Sequence, residues 1–395
     1  MKPTLHTMKN IFLLFWFFFT LLGFGQVNAG YAVVDAKMAA IPVNATTSTE
    51  AIAKYINTNF KTQTDKIRAV FYWTASNISY DVPGMYKVNF DETVSEKIAK
   101  TLKTKKGVCI HYASVFNDLS QKIGIQSYII EGYTKQNGNV SNLAHAWTVA
   151  KIDNKWYVFD STWGSGYVNN GKFFKKLNNN YFKAEPTKII VSHIPFDYLW
   201  QFSNYPITNN QFYEGKIQIN KTKKYYDFEK EIVKHNGLSE EDKLFASADR
   251  IAKNGLKNAM IVERYEGKKK RLAYIKYNSN IEKLNAIVNE MNEAVVMLND
   301  FIHYRNNTFK PALPDSEISI MIDAPREKLA KCQNEIHKVG SVGNENAANV
   351  ASIKKSISKA LAQAEEHAKF VDAYLSKSKI ARKTMFFKVA QFRVR

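Results

Sequence analysis

The chain has 395 residues, 45% of them hydrophobic and 23% charged, and a formal charge of +20. That balance suits a globular protein of two or three domains and excludes a chain without a hydrophobic core. No zinc finger, RNA-binding sheet motif or phosphate-binding glycine loop accompanies the positive charge, so nucleic acid is the minor option among anionic partners.

Lys2 and Lys9 precede an apolar run, Ile11 to Phe24, followed by Gly25 and Val27-Asn28-Ala29. A basic start, an apolar stretch short for a bilayer and a small-residue exit read as a secretory signal over residues 1–29. Met8 is an alternative start, and no cysteine follows the run to accept a lipid. The mature protein is expected to be exported and soluble, with a charge of +18 once Lys2 and Lys9 are removed.

A first folded domain is expected over 30–215. Tyr31 to Val43 reads as a short lead-in ended by Pro42. Thr47-Ser48-Thr49-Glu50 offers N-cap chemistry for a helix through about Phe60, and a second helix is expected from Thr64 to Ser76. Ile67, Val70, Phe71 and Thr74 form its apolar face, with Trp73 beside it. Basic Lys100 to Lys106 leads to Gly107 and a helix that begins at Cys109, turns Ala113, Phe116, Leu119 and Ile123 inward, and stops at Gly124. The pattern then changes to strands over Gln126–Thr134, Ala144–Ile152 and Lys155–Asp160, with Asn137-Gly138 and Asp153-Asn154 as turns. Gly164 to Gly171 is expected to be a loop beside the site, before aromatic-rich segments that reach about Phe212.

Beyond Gly215 the chain becomes Lys-rich, Asn-rich and helical. A connecting helical region over 216–278 leads to an antiparallel bundle over 279–376. Its seams are Ile281 to Ile302, a series through Leu329, Cys332 and Ile336, and Val350 to Leu375. His303, His337 and His367 are isolated, and neither metal nor cofactor chemistry is visible. The tail, 377–395, carries seven Lys and Arg side chains interleaved with apolar ones and no acid. It suits an anionic cell-envelope polymer or a membrane surface, or it folds back on its own domain.

Three stretches carry chemistry: Gly107-Val108-Cys109, His145-Ala146-Trp147 and Asp160-Ser161-Thr162-Trp163-Gly164. A helix start lowers a thiol's pKa, a nearby imidazole takes its proton, and a carboxylate holds that imidazole in the right tautomer. The backbone N–H of Cys109 would face a developing oxyanion. Trp73 is a candidate second donor, although a core aromatic is the commoner role, and Trp147 and Trp163 wall the groove or pack beneath it. Cys332 sits on a helical seam, where a thiol behaves as a small hydrophobe. A bridge from it to Cys109 would silence the site and is disfavoured. His111 is too near Cys109 in sequence to replace His145, and His193 reads as fold or site rim.

On these residues, the stretch from Ala51 to Phe212 resembles the transglutaminase-like superfamily, with its papain-related Cys-His-Asp core. Phe71-Tyr72-Trp73, Asn77-Ile78-Ser79-Tyr80-Asp81, Tyr181-Phe182, Ser192-His193-Ile194-Pro195 and Trp200-Gln201 resemble the branch typified by the kyphoscoliosis peptidase. The resemblance implies an α+β core, a nucleophile helix packed on an antiparallel sheet, here followed by an all-α bundle. It also implies Cys109 as nucleophile, His145 as general base then acid, and Asp160 as orienter. The expected activity is peptidase, amidase or acyl transfer on protein or peptide amides without a cofactor. The competing reading is a catalytically silent transglutaminase-like binding or scaffold protein of the cell envelope.

Overall fold

A computed structural model describes residues 29–87, 89 and 92–390. All of the expected signal except Ala29 lies outside the described residues. The chain divides into two units, Met1–Glu266 and Gly267–Arg395.

Capping side chains set the first helices of unit one. The Ser48 hydroxyl accepts the Ala51 N–H at 3.2 Å and starts α2 (Thr49–Asn59); Thr62 does the same for Asp65 at 3.0 Å and starts α3 (Gln63–Asn77). The lead-in before them is helical, α1 (Ala29–Ala39), and it buries Val34 and Met38. Its anchor is Arg68, a fully buried residue of α3. The Arg68 guanidinium donates to both Asp35 carboxylate oxygens at 2.7 and 2.6 Å and to Asn179 at 2.8 Å, among the rings of Tyr31, Phe71 and Phe182. This docking covers a side of α3 that a single apolar face would leave in water.

A Thr93–Glu96 capping box opens α4 (Val94–Thr104), which takes up most of the basic run before Gly107. The two-residue strands β1 (Ser79–Tyr80) and β2 (Lys106–Gly107) pair in parallel and set Tyr80 opposite Gly107. The helix α5 (Cys109–Lys122) follows, and Gly124, at φ +81°, ends it.

The sheet is built from β3 (Ser127–Gln136), β4 (Asn139–Ile152) and β5 (Lys155–Phe159), which run antiparallel. Asp153 and Asn154, with φ of 49° and 63°, make the tight turn between the last two. After Asp160 the chain forms the short helix α6 (Ser161–Ser165), and in place of the loop expected over Gly164 to Gly171 it makes a hairpin of β6 (Gly166–Asn169) and β7 (Lys172–Lys175). A three-residue strand, β8 (His193–Pro195), adds to the free side of β3, giving the order β5-β4-β3-β8. Gly132 lies between His145 and Pro195 in this register. A Cβ there would stand 2.2 Å from the Ile194 carbonyl and 2.5 Å from the Trp147 ring, so only glycine lets these neighbours close in.

Most of the region expected as a connector, residues 216–266, belongs to unit one. Ile232 of α7 (Phe228–Asn236) packs with Trp156, and Ile251 of α8 (Glu240–Lys253) packs with Tyr133 and Ile194. Arg250 also grips Asp197 through two bonds of 2.7 and 2.8 Å, both residues being buried. The compact unit runs to Glu266.

Unit two is helical. The 48-residue helix α9 (Ala259–Asn306) is followed by α10 (Asp315–Ile336) and α11 (Asn344–Leu375). Leu298, Phe301, Ile322, Leu329, Leu361 and Val371 share one apolar cluster; Cys332 shares another with Ile287, Ile336 and Ile357. The tail forms α12 (Lys379–Ala390). Arg382 donates to both Asp315 carboxylate oxygens, and Phe386 packs on Phe309, Phe370 and Tyr374, so this part folds back on its own bundle. Among the described residues no helix is long and apolar enough to cross a membrane.

Candidate active site

Cys109 is the first residue of α5 and is partly exposed. Its N–H has no intrahelical acceptor and lies at the positive end of a 14-residue helix. The loop before it is braced from within. His111 folds back so that its Nδ1 accepts the Val108 N–H at 3.2 Å, while its Nε2 lies 3.9 Å from Glu92. Gly107 is required by this fold, because a Cβ there would meet the His111 Cβ at 2.5 Å. Burial lowers the His111 pKa against the opposing pull of Glu92, in keeping with a neutral ring that accepts. His111 thus shapes the nucleophile loop.

Two further bonds fix α5 to its surroundings. The Tyr112 hydroxyl donates to the Ile78 carbonyl at 2.8 Å, and the Thr148 hydroxyl on β4 donates to the Ala113 carbonyl at 3.3 Å. The second bond ties the Cys109 helix to the strand that carries His145.

His145 and Asp160 meet at the end of the β4–β5 pair. His145 Nε2 lies 2.7 Å from Asp160 Oδ2, with both side chains buried. That leaves the other ring nitrogen without the carboxylate, and Cys109 lies near enough to help raise the His145 pKa. Asp160 is fully buried and caps α6: its Oδ1 accepts the N–H groups of Thr162 and Trp163 at 2.9 and 3.0 Å. Burial disfavours both charges, but their proximity outweighs it. The carboxylate beside His145 pushes the imidazole pKa up to about 10, and the hydrogen-bonded imidazoles hold the Asp160 carboxyl well below the usual carboxylate range.

One neighbour is not evident from sequence spacing. His193, on β8, is fully buried, and its Nε2 lies 3.1 Å from the same Asp160 Oδ2. It is no rim residue. Trp163 packs edge-on at 4.6 Å and Trp147 at 5.2 Å from this ring. Its position in the chain, beyond the Cys-His-Asp order, hides it; the signal is the Ser192-His193-Ile194-Pro195 block.

The three tryptophans separate. Trp147 is buried beneath the two histidines, whereas Trp163, partly exposed and 5.6 Å from the His145 ring, borders the site. Trp73 is fully buried in the helical core under the Lys105 ammonium, and its indole N–H has no hydrogen-bond partner among the described residues. Tyr80 lies near enough for the charges of Cys109 and Asp160, after burial, to raise its phenol pKa.

Two imidazoles and a carboxylate are metal-ligand types, and His145, Asp160 and His193 each place a donor atom within 4.8 Å of the others. Here both Nε2 atoms are turned onto one oxygen at hydrogen-bonding distance, and the other oxygen is taken by backbone N–H groups. A metal would have to break that network. The two cysteines are free thiols, and burial raises the pKa of Cys332.

A profile described as "Transglutaminase-like superfamily" matches residues 50–161, the segment from α2 to Asp160 and Ser161. This segment is a transglutaminase-like domain. Human kyphoscoliosis peptidase is 30% identical to the chain over 159 residues, covering 38% of this chain and 24% of that protein. Cytokinesis protein 3 of Schizosaccharomyces pombe is 22% identical over 176 residues, covering 42% of this chain and 19% of its own length. The chain thus spans about a quarter of the length of the curated relatives it matches. A crystal structure of a TGase is 17% identical, covering 44% of this chain and 43% of its own, at a TM-score of 0.24 that adds nothing to the fold argument. The transglutaminase-like domain is followed by the helical C-terminal unit, which the profile does not reach.

Proposed function

We propose that the protein is an exported cysteine-dependent peptidase or amidase that works by acyl transfer on protein or peptide amides. The Cys109 thiolate attacks the amide carbonyl carbon while the Cys109 N–H stabilises the oxyanion. His145 then gives its proton to the leaving amine, the C–N bond breaks, and a thioester remains on Cys109. Water resolves the thioester: His145 takes a proton from it, its oxygen bonds to the carbonyl carbon, and the thiolate departs. Asp160 keeps the imidazole oriented throughout. Water is favoured over a lysine amine because it is abundant. Export rests on the residues 1–29 pattern, and the helical unit is a targeting module whose exposed Lys377, Lys379 and Lys383 suit an anionic envelope polymer.

The observation that carries this reading is the buried His145–Asp160 pair, 2.7 Å apart, with Cys109 near enough to help raise the imidazole pKa. The test is iodoacetamide labelling of the folded protein near pH 6, with Cys109 and Cys332 quantified by peptide mass spectrometry. Labelling of Cys109 far above Cys332, lost in His145→Ala, supports the enzyme. Equal and slow labelling of both thiols favours the silent binding protein.

A further inference from the structure

We propose that Ser192 and His193 are positioning residues that hold Asp160 from the side opposite His145 and so complete a five-residue chain, Ser192–His193–Asp160–His145–Cys109. The inference rests on the acyl-transfer reading above and deepens it.

Hydrogen-bond bookkeeping at one oxygen carries the argument. Asp160 Oδ2 has two imidazole nitrogens against it, at 2.7 Å from His145 and 3.1 Å from His193. An ionised carboxylate only accepts, so both Nε2 atoms must bear hydrogen. For His193 this selects the Nε2–H tautomer, whose Nδ1 is an acceptor. The Ser192 hydroxyl lies 2.8 Å from that Nδ1 and can supply the donor. Its rival acceptor, the Ile189 carbonyl, is farther away at 3.2 Å and already takes the Ser192 backbone N–H at 2.9 Å. Ser192 therefore fixes the tautomer of His193 just as Asp160 fixes that of His145.

The arm is rigid. Thr134 of β3 faces His193 in the sheet register, and the Lys135 N–H donates to the Ser192 carbonyl at 2.8 Å. Trp147, Trp163 and Tyr181 enclose the ring, and burial keeps it neutral by lowering its pKa. A neutral, buried imidazole in a polar bond at each nitrogen is poorly placed to exchange protons with solvent. Its consequence is geometric: with Oδ1 fixed by two backbone N–H groups and Oδ2 by His193, the carboxylate plane cannot swing when His145 moves its proton.

The test uses the full mature chain with His193→Phe, which fills the space without a donor, His193→Gln, which restores an N–H, and Ser192→Ala. Three readouts are taken: unfolding midpoint, the iodoacetamide rate at Cys109, and imidazole tautomers by long-range nitrogen–proton NMR. Loss of a hydrogen bond to a charged group predicts a labelling rate about ten- to a hundredfold lower in His193→Phe. His193→Gln should stay close to wild type, and Ser192→Ala should show mixed His193 tautomers with an intermediate rate. A folded His193→Phe that labels like wild type overturns the proposal, as does a His193→Gln no better than His193→Phe. If His193→Phe does not fold, an Nδ1–H tautomer of His193 in the wild type still overturns it. A reactive wild type with an indifferent His193→Phe sinks the positioning role alone, whereas a wild-type Cys109 no faster than Cys332 sinks the acyl-transfer reading as well.

Discussion

Asp160→Asn keeps the shape of the side chain, removes its charge and reverses a donor–acceptor pattern. Thr162 and Trp163 N–H groups need an acceptor, so the carboxamide oxygen stays on their side of the residue. The NH2 group then faces His145 Nε2 and His193 Nε2, where an acceptor stood before. His145 must turn its Nε2 into an acceptor and move its proton to the nitrogen that serves Cys109, the wrong tautomer for a base. The charge matters equally. With Asp160 ionised the His145 pKa stands at about 10 instead of 6.5, and burial, which opposes the imidazolium, remains after the substitution. Losing that charge lowers the imidazole pKa and with it the share of the thiolate–imidazolium pair. The iodoacetamide rate at Cys109 near pH 6.5, measured on folded protein, should fall by on the order of a hundredfold or more. A rate within tenfold of wild type would refute both the tautomer and the charge argument.

Other perturbations have equally definite outcomes. The raised His145 pKa contributes stability that is fully present below 6.5 and lost as pH rises through about 10, so the urea midpoint should drop across that window, and Asp160→Asn should abolish the drop. Turnover of an activated peptide amide should fall over the same alkaline limb, as the leaving amine loses its proton donor. Arg68→Ala strands the Asp35 carboxylate, which is 21% exposed, and should cost roughly 3 kcal/mol in urea unfolding, at the low end for a broken buried pair because water can reach Asp35. Gly132→Ala overpacks the Ile194 carbonyl and Trp147, and a loss of about 1–3 kcal/mol in stability should come with slower Cys109 labelling. For the tail helix, Arg382→Ala should cost less than about 1 kcal/mol, since Asp315 is half exposed. Phe386→Ala should open the α12 junction to limited proteolysis, because ring packing holds it.

How much of this is legible in the sequence depends on whether the signal is local. Ser48 and the β4–β5 turn at Asp153-Asn154 act within a few residues, and the helix and hairpin fall where those signals put them. The heptad-like seams of α10 and α11 are equally plain. Signals that act at a distance are lost. The lead-in is helical because Arg68, more than thirty residues later, draws Asp35 into the core. The strand β8 is three residues long and exists because β3 has a free side and Gly132 leaves room. Residues 216–266 of the connector are part of unit one because Ile232 and Ile251 meet the sheet and Arg250 grips Asp197 just beyond it, a partnership that no periodicity encodes. His193 belongs to the same class. Its motif is visible, but its partner is a carboxylate that the Cys-His-Asp order assigns to another histidine.

The contrast between the two thiols arises from place rather than residue type. Both are on helices, and both are free. Cys332 is mid-helix in α10, its sulfur directed at the Ile287 carbonyl 3.8 Å away, and burial raises its pKa. The nearby Glu290 carboxylate adds to that rise. Cys109 opens α5 at a loop shaped by His111, next to an imidazole whose charge is stabilised by a carboxylate. That carboxylate is in turn the cap of α6, so the bonds that start α6 also orient the site. Fold and chemistry share one side chain, Asp160. A substitution there cannot be read as purely catalytic, which is why its effect on Cys109 labelling must be measured beside His193→Gln, where the cap is untouched.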